Sequence, residues 1–205
     1  MMRTMNSEHA HSERPDTRQH ILDCGRQLVA AKGFVGVGLA EILATAGVPK
    51  GSFYHYFASK EVFGAALIES YFDDYRTRLA ALSAQPGQTG AQRLLTYFER
   101  WIETQQGNDR AEHCLIVKLA AEIADLSDAM RSRMLAGTDA ILRQLTEFIA
   151  AGQADGSIGT TEAPAVLAQF LYQAWLGASL LAKLRREPNA FDAVMQRSRI
   201  LLQLK

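Results

Sequence analysis

The side chains best suited to bind a partner are concentrated in one short segment, KGSFYHY at residues 50–56. Lysine can pair with phosphate, while tyrosine and histidine can donate hydrogen bonds or contact apolar base edges. A helix of this length is unstable alone, so neighbouring helices must hold it while its polar side contacts something else. Double-stranded DNA suits this composition; the alternative is that the tyrosines only pack within the protein. The predicted DNA-contacting residues are Lys50, Gly51, Ser52, Tyr54, His55, Tyr56 and Lys60.

The residues around this segment predict the helices that position it. Apolar side chains recur at helical spacing from Leu39 to Ala46, and Gly47 follows where that helix would end. Glycine tolerates the left-handed backbone conformation that a sharp turn requires. Pro49 then suits the first position of the next helix, and Ser59 suits the N-cap of another. The order of these signals predicts a helix-turn-helix followed by a further helix.

Three pieces of this region, ILDCGRQLVAAKGF (21–34), ILATAGVPKGSFYHYF (42–57) and SKE (59–61), resemble the N-terminal domain of the TetR family of transcriptional regulators. The resemblance implies a three-helix DNA-binding domain, with Phe53 and Phe57 turned inward and the polar side chains of 50–56 facing the groove. The chain departs from the family pattern at two places. Residues 36–38 (GVG) leave no hydroxyl to contact a phosphate before the first helix of the motif, and Leu43 replaces a small residue.

The charge distribution is compatible with DNA binding, although the net charge of the 205-residue chain is zero. Between Arg14 and Lys60 there are six Lys or Arg residues and three Asp or Glu residues. Affinity for DNA depends on this local excess and not on the sum over the chain. No run of about 18 apolar residues predicts a membrane span. The polar residues 1–15 predict a disordered arm, not a signal peptide.

The two cysteines, Cys24 and Cys114, are far apart and belong to no C-x-x-C or Cys/His cluster. This spacing predicts free thiols in a reducing cytoplasm, with no metal site and no cofactor. Cys24 falls on the apolar side of the first predicted helix, which favours a core position.

The rest of the chain has helical periodicity almost throughout, with no internal repeat and no alternating strand pattern. We predict an all-α fold of about nine helices, with a helix-turn-helix domain at 16–62 and a C-terminal ligand and dimerisation domain at 63–205. The helix after Ser59 would join the two domains. Outside the helix-turn-helix, the predicted helices cover 17–32, 60–83, 91–106, 114–124, 128–151, 161–186 and 188–202.

Cys114 opens a predicted helix in the block HCLIVKLAAEIADLSDAMR. A thiol at a helix N-terminus loses its proton more readily, because the positive end of the helix dipole stabilises the thiolate. This block and GLAEILATAGVPKGSFYHYFASKEVFG (38–64) resemble the NemR-type branch of the TetR family, whose members respond to electrophiles or oxidants. The resemblance implies that Cys114 is the sensing residue. The alternative is that Cys114 is a small buried side chain.

Two lysines could influence the Cys114 thiol. Lys118 lies one helical turn after Cys114, and a neighbouring cation would favour the thiolate. Lys183 follows a stretch from Ala163 to Ala182 that contains no charged side chain. It either extends to water at the helix C-terminus or points into the domain interior, where it would stabilise the thiolate.

An effector pocket and a dimer interface are the other sites predicted in the C-terminal domain. Phe98, Trp101, Tyr172 and Trp175 either line a pocket or form the core. The Ala- and Leu-rich helices at 128–151 and 161–186 predict a four-helix interface between two copies of the chain. The candidate interface residues are Leu142, Leu145, Leu176, Ala178 and Leu180.

These observations predict a cytoplasmic, homodimeric repressor that leaves its palindromic operator when an electrophile or oxidant modifies Cys114. A second hypothesis keeps the repressor, but a small molecule binds reversibly in the pocket and Cys114 is a bystander. A cysteine-dependent enzyme is a third, but no second cysteine lies near Cys114 to resolve a sulfenic acid. His113 also diverges from Cys114 by about 100° on a helix. We therefore predict a protein that is not an enzyme, whose partners are double-stranded DNA, a small-molecule effector and a second copy, with no membrane.

Overall fold

The computed structural model describes residues 16–107, 115–186 and 189–204. Within these ranges the chain forms nine α-helices, and one isolated antiparallel bridge joins Ile158 and Leu204. The prediction of an all-α fold with about nine helices is confirmed. The arm predicted at 1–15 lies outside the described residues. The helices are α1 (Thr17–Lys32), α2 (Leu39–Ala46), α3 (Lys50–Tyr56), α4 (Lys60–Ser83), α5 (Gly90–Gln106), α6 (Leu115–Ala124), α7 (Asp128–Ala154), α8 (Pro164–Arg185) and α9 (Asp192–Leu201).

Helices α1, α2 and α3 form the N-terminal DNA-binding unit that the sequence predicts. The carboxylate of Asp16 caps α1 by accepting a hydrogen bond from the Arg18 N–H at 2.9 Å. Gly47 ends α2 with φ 63° and ψ 29°, the left-handed conformation expected there. The Val48 N–H then bonds to the Leu43 carbonyl at 3.2 Å, which closes the turn before α3. The helix-turn-helix is therefore confirmed.

Helix α4 joins the DNA-binding unit to the rest of the chain as one continuous helix of 24 residues. The Ser59 hydroxyl caps it by accepting a hydrogen bond from the Val62 N–H at 3.1 Å. In its first turn the Phe63 ring packs against Phe53 and Phe57, with centroid separations of 5.5 and 5.2 Å. Full burial of each such ring contributes about 1.5–3 kcal/mol to stability. The start of α4 is thus fixed in the core of the DNA-binding unit.

Helices α7 and α8 form the centre of the C-terminal domain, with α4, α5 and α6 packed on α7 and α9 packed on α8. Thr89 and Gln92 form a capping box at the start of α5, with hydrogen bonds of 3.2 and 2.9 Å. The Asp155 carboxylate, at the end of α7, accepts the Gly90 N–H at 2.8 Å. Hydrogen bonds from Ser157 and from the Gly90 N–H lower the pKa of the Asp155 carboxyl. These contacts join the first turn of α5 to the end of α7.

Three helix limits differ by three or more residues from those expected. Helix α7 continues through Gly152 to Ala154. Gly152 does not end the helix but packs against Gly90 of α5, where a Cβ would lie 2.1 Å from the Gly152 nitrogen. Helix α8 begins at Pro164 and not at Thr161, since proline suits the first turn, where no N–H is needed. Helix α9 begins at Asp192. Its predicted start, Pro188, lies outside the described residues.

Among the described residues, α8 is the one helix long and apolar enough to cross a membrane by length and composition. One such helix is weak evidence for a membrane span, so it does not overturn the prediction that no segment spans a membrane. Core helices of soluble proteins share these properties, and α8 packs along α7 with Leu171 and Trp175 buried. Hydropathy alone is thus a weak reason to place α8 in a membrane.

Candidate DNA-binding surface and effector pocket

Helix α3 separates its aromatic side chains by direction. Phe53 and Phe57 are fully buried, as predicted, whereas Tyr54 and Tyr56 are 47% and 37% exposed. Both phenol rings are therefore accessible to an external partner, as the DNA-binding hypothesis requires.

The remaining predicted contact residues of α3 extend its outer surface. Lys50 and His55 are exposed and Ser52 is half-buried. The Lys50 ammonium lies 5.7 Å from the centre of the Tyr54 ring, one helical turn away. A Cβ built on Gly51 would meet nothing within 4 Å, so the backbone there is open to close approach. The surface thus combines one cation, two phenols and an imidazole on a helix of seven residues.

Lys60 makes a contact within the protein that sequence spacing did not predict. Its ammonium donates a hydrogen bond to the Phe34 carbonyl at 2.8 Å and lies 4.6 Å from the centre of the Phe34 ring. The side chain is half-buried and joins α4 to the loop after α1. The phosphate contact predicted for Lys60 stays a prediction, and the structure adds an internal contact that its ammonium makes.

Arg18 is a further candidate for contact with DNA, and the sequence interpretation missed it. Its guanidinium is 5.6 Å from the centre of the Phe57 ring, at the C-terminal end of α3, and the residue is exposed. The available signal was a basic residue in the first turn of α1, directly before the matching block at 21–34. The structure also shows the effect of the missing hydroxyl before α2. Gly38 is the N-cap there and provides no side-chain hydrogen bond.

A cavity of about 280 Å³ lies between α4, α5 and α6. The Tyr75 and Tyr97 hydroxyls are 2.9 Å apart and hydrogen-bonded. Two cations and one carboxylate among the lining residues, Arg78, Arg100 and Glu103, are exposed. The volume suits a small molecule with an apolar body. Other lining residues include Tyr71, Tyr75, Leu79, Tyr97, Trp101 and Ile116.

Only part of the predicted pocket belongs to this cavity. Trp101 lines it, but Phe98 and Trp175 are fully buried and stack at 4.3 Å between ring centres, so they form core. Tyr172 is also buried and meets Trp101 edge-on at 5.7 Å, outside the lining. The lining from α4 was missed, although Tyr71 and Tyr75 recur one helical turn apart. That spacing indicated a buried stripe and gave no sign of a cavity.

Two of the three residues predicted to sense an effector, Lys118 and Lys183, lie within the described structure. Cys114 lies outside the described residues. The Lys118 ammonium is 3.5 Å from the Ala31 carbonyl at the end of α1, so it contacts the DNA-binding unit. Lys183 is exposed in the last turn of α8, where a cation is favoured by the helix dipole. The sequence-based prediction that Lys183 stabilises the Cys114 thiolate stays a prediction, since Cys114 is not among the described residues.

Cys24, expected in the core, is half-buried and packs against the core of the DNA-binding unit. Burial and the neighbouring Asp23 carboxylate raise the pKa of the Cys24 thiol. Fewer molecules therefore carry a Cys24 thiolate at neutral pH than an exposed cysteine would give. In the described part of the chain, no group of three or more His, Cys, Asp or Glu residues could hold a metal ion.

The predicted dimer residues divide into core and surface. Leu145 is fully buried within the protomer, which corrects its assignment to the interface. Leu142, Leu176 and Ala178 are half-buried, and Leu180 is exposed. The exposed apolar side chains of α8 form a larger set than predicted: Val166, Phe170, Leu180, Leu181 and Leu184.

Comparison with known proteins gives the family. The model described as "Bacterial regulatory proteins, tetR family" matches residues 21–67, and that described as "Tetracyclin repressor-like, C-terminal domain" matches residues 90–197. The chain belongs to the TetR family. It is similar to the HTH-type transcriptional repressor NemR of Escherichia coli (strain K12), with 42% identity over 171 residues, 83% of this chain and 86% of the relative.

Two further comparisons agree. The HTH-type transcriptional repressor DhaR of Mycobacterium sp. (strain GP1) is 35% identical over 179 residues, 87% of this chain and 88% of the relative. The crystal structure of the reduced form of E. coli NemR superposes with a TM-score of 0.87 at 38% identity, covering 93% of this chain and 98% of that one. The resemblance to the NemR-type branch is thus confirmed. The chain is a TetR-family transcriptional repressor that binds operator DNA and acts as a dimer, and it is not an enzyme.

Proposed function

We propose that this repressor holds its operator through α3 and releases it when an electrophile or oxidant modifies Cys114. The observation that carries the proposal is the position of the cavity against the first turn of α6. Ile116, a lining residue, lies two residues after Cys114 in the sequence. A compound that enters the cavity would therefore reach the part of the chain that contains the thiol.

The DNA-binding part of the proposal rests on the exposed side of α3. Lys50 would pair with phosphate, while Tyr54, His55 and Tyr56 would contact base edges or phosphates. Ser52 and the open backbone at Gly51 would lie close to the sugar–phosphate chain. In a symmetric dimer, the two copies of α3 would enter successive major grooves roughly 34–36 Å apart.

The sensing part rests on the chemistry of a thiol at the start of a helix. Cys114 directly precedes Leu115, the first residue of α6, where the helix dipole would favour the thiolate. The thiolate sulfur would add to an electrophilic carbon of a maleimide-type compound, and the adjacent carbon would take a proton from water. The raised pKa of Cys24 supports a selective reaction, because that thiol competes poorly.

Release requires that modification favours a conformation with lower operator affinity. A group attached beside the cavity would displace α6, which packs on α7 and contacts the DNA-binding unit through Lys118. Typical coupling free energies between such sites are about 1–3 kcal/mol, which correspond to roughly 5–150-fold changes in affinity. We place this activity in the cytoplasm, where a DNA-binding regulator with reduced thiols would function.

A second candidate mechanism is reversible binding of a small molecule in the same cavity, with Cys114 as a bystander. The observation that favours it is the cavity itself, which has an apolar aromatic lining and a hydrogen-bonded tyrosine pair. Such a site could bind an effector without a covalent bond. The two mechanisms predict different behaviour for a protein without the thiol.

Operator release by N-ethylmaleimide separates the two mechanisms. Duplex DNA selected by the protein from a random pool serves as the operator, and fluorescence anisotropy measures its Kd. We expect maleimide to raise the Kd at least about tenfold for wild type and for the matched control Cys24→Ser, and not for Cys114→Ser. Equal release of Cys114→Ser and wild type would overturn the cysteine mechanism. A compound that releases Cys114→Ser reversibly would favour the second candidate.

A further inference from the structure

The loop between α1 and α2 is held by one carboxylate from the C-terminal domain. The Glu122 side chain, on α6, accepts a hydrogen bond from the Phe34 N–H at 3.1 Å and a second from the Val35 N–H. Each carboxylate oxygen takes one of the two consecutive N–H groups. Hydrogen bonds to a charged acceptor are about twice as strong as neutral ones. This contact spans 87 residues of sequence and connects α6 directly to the DNA-binding unit.

The same loop is shaped to accept the carboxylate. Gly33 has φ 82°, in the region that favours glycine, and a Cβ there would lie 2.8 Å from a Glu122 carboxylate oxygen. A residue with a side chain at Gly33 would therefore strain the backbone and displace Glu122. The structure thus places a glycine at the position where the two domains approach each other.

Phe34 is fixed from both sides by charged side chains. Its N–H bonds to Glu122 of α6, and its carbonyl accepts a hydrogen bond from the Lys60 ammonium of α4. The Phe34 ring is buried and lies against Gly64 of α4, where a Cβ would be 2.6 Å from the ring. A shift of α6 relative to α4 must therefore change the hydrogen bonds of this one residue.

A second side chain on the same side of α6 reinforces the contact. Lys118 lies one turn before Glu122, and its ammonium is 3.5 Å from the Ala31 carbonyl at the end of α1. The cation meets a carbonyl at the negative end of the α1 dipole, and the carboxylate meets N–H groups just beyond it. The charges on α6 thus complement the polarity of the chain as it leaves α1.

We propose that Glu122 is the positioning residue through which displacement of α6 reaches the DNA-binding unit. Ile116 lines the cavity and Glu122 contacts the loop after α1, and both belong to one helix of ten residues. A helix this short moves as a unit, so a change at its first turn is transmitted to its last. This proposal rests on the function proposed above in one respect only: modification of Cys114 is the event that displaces α6.

The experiment compares Glu122→Gln with Asp125→Asn, which makes the same charge change three residues further on at an exposed side chain. Hydrogen exchange measures the Phe34 and Val35 amides, and anisotropy measures operator Kd before and after N-ethylmaleimide. We expect Glu122→Gln to speed exchange of both amides and raise the unmodified Kd at least about threefold. The maleimide-dependent ratio of Kd values should fall about fivefold or more, because the coupling is lost. Asp125→Asn should match wild type.

Lys118→Gln provides a second variant with a smaller effect in the same direction, since its contact is longer. Faster exchange in Glu122→Gln with an unchanged Kd ratio would overturn the proposal, because the carboxylate would then only stabilise the fold. Unchanged exchange would overturn it as well. If maleimide fails to release wild type, the proposed sensing function is wrong. In that case the operator Kd of the untreated proteins tests the positioning role by itself. It should be higher for Glu122→Gln than for Asp125→Asn.

Discussion

The molecule uses tyrosine in opposite ways in its two aromatic regions. On α3, Tyr54 and Tyr56 are substantially exposed above buried phenylalanines. Around the cavity, Tyr71 and Tyr97 are buried, and the Tyr97 hydroxyl bonds to that of Tyr75. An exposed phenol on a short helix suits a large, rigid partner such as the DNA groove. Enclosed phenols suit a small guest, so a substitution should alter operator binding in the first region and effector response in the second.

The largest effect on stability and operator binding is expected at Phe53, the fully buried ring of α3. Phe53→Ala removes a fully buried ring and should destabilise the protein by about 3–5 kcal/mol, with loss of operator binding. Thermal unfolding and anisotropy measure the two effects. Tyr54→Ala is the matched variant. It should leave stability within about 0.5 kcal/mol and still weaken operator binding, since this ring is half exposed. Equal destabilisation by both variants would remove the distinction between the two sides of α3.

The next effect concerns the charge on the α3 surface. Lys50→Ala should raise operator Kd about tenfold, because each protomer loses one phosphate contact. The slope of log K against log salt should decrease by about two for the dimer. Arg76→Ala, on α4 and paired with Asp73, is the control and should change neither quantity. A Lys50→Ala protein with an unchanged salt slope would show that this lysine does not meet a phosphate.

A smaller effect is expected in the cavity. Tyr97→Phe removes the hydroxyl that bonds to Tyr75, at a cost of about 1 kcal/mol. In a protein of this size that corresponds to a Tm lower by about 2–4 °C. Operator Kd should stay within about twofold of wild type, whereas the concentration of maleimide needed for release should change. A large loss of operator affinity in this variant would contradict the separation of the two regions.

The smallest effect concerns pH and the join between α5 and α7. The pKa of Asp155 is lowered in the folded protein, so its contribution to stability is present at neutral pH. That contribution is lost as pH falls below about 4 and through the folded pKa, because the unfolded chain binds the proton first. Stability of wild type should therefore decline more steeply between about pH 5 and pH 3 than that of Asp155→Asn. Denaturant unfolding at several pH values measures both slopes, and parallel curves would contradict the assignment.

The DNA-binding region could be predicted closely because its signals are local. Gly47, Pro49 and Ser59 define the turns through backbone geometry and capping, which depend on adjacent residues. The inward position of Phe53 and the outward position of Tyr54 were implied by the family resemblance, and the burial of the two rings agrees with it. The position of Lys60 could not be predicted, since a long flexible side chain reached a carbonyl 26 residues away in the sequence.

The C-terminal domain was harder to predict because each helix there has several neighbours. Leu142 and Leu145 are both apolar and one turn apart on α7, yet one is half-buried and the other fully buried. Periodicity identifies an apolar side of a helix but not whether core, cavity or a second copy covers it. Phe98 and Trp101 differ in the same way: one stacks in the core and the other lines the cavity.

The central claim is that modification of Cys114 causes operator release, and a single time course tests it directly. Operator-bound protein is treated with N-ethylmaleimide, and each aliquot is divided between anisotropy and peptide mass spectrometry. We expect the fraction of DNA released to follow the fraction of Cys114 that carries the adduct, with Cys24 largely unmodified. Complete modification of Cys114 while the operator stays bound would contradict it.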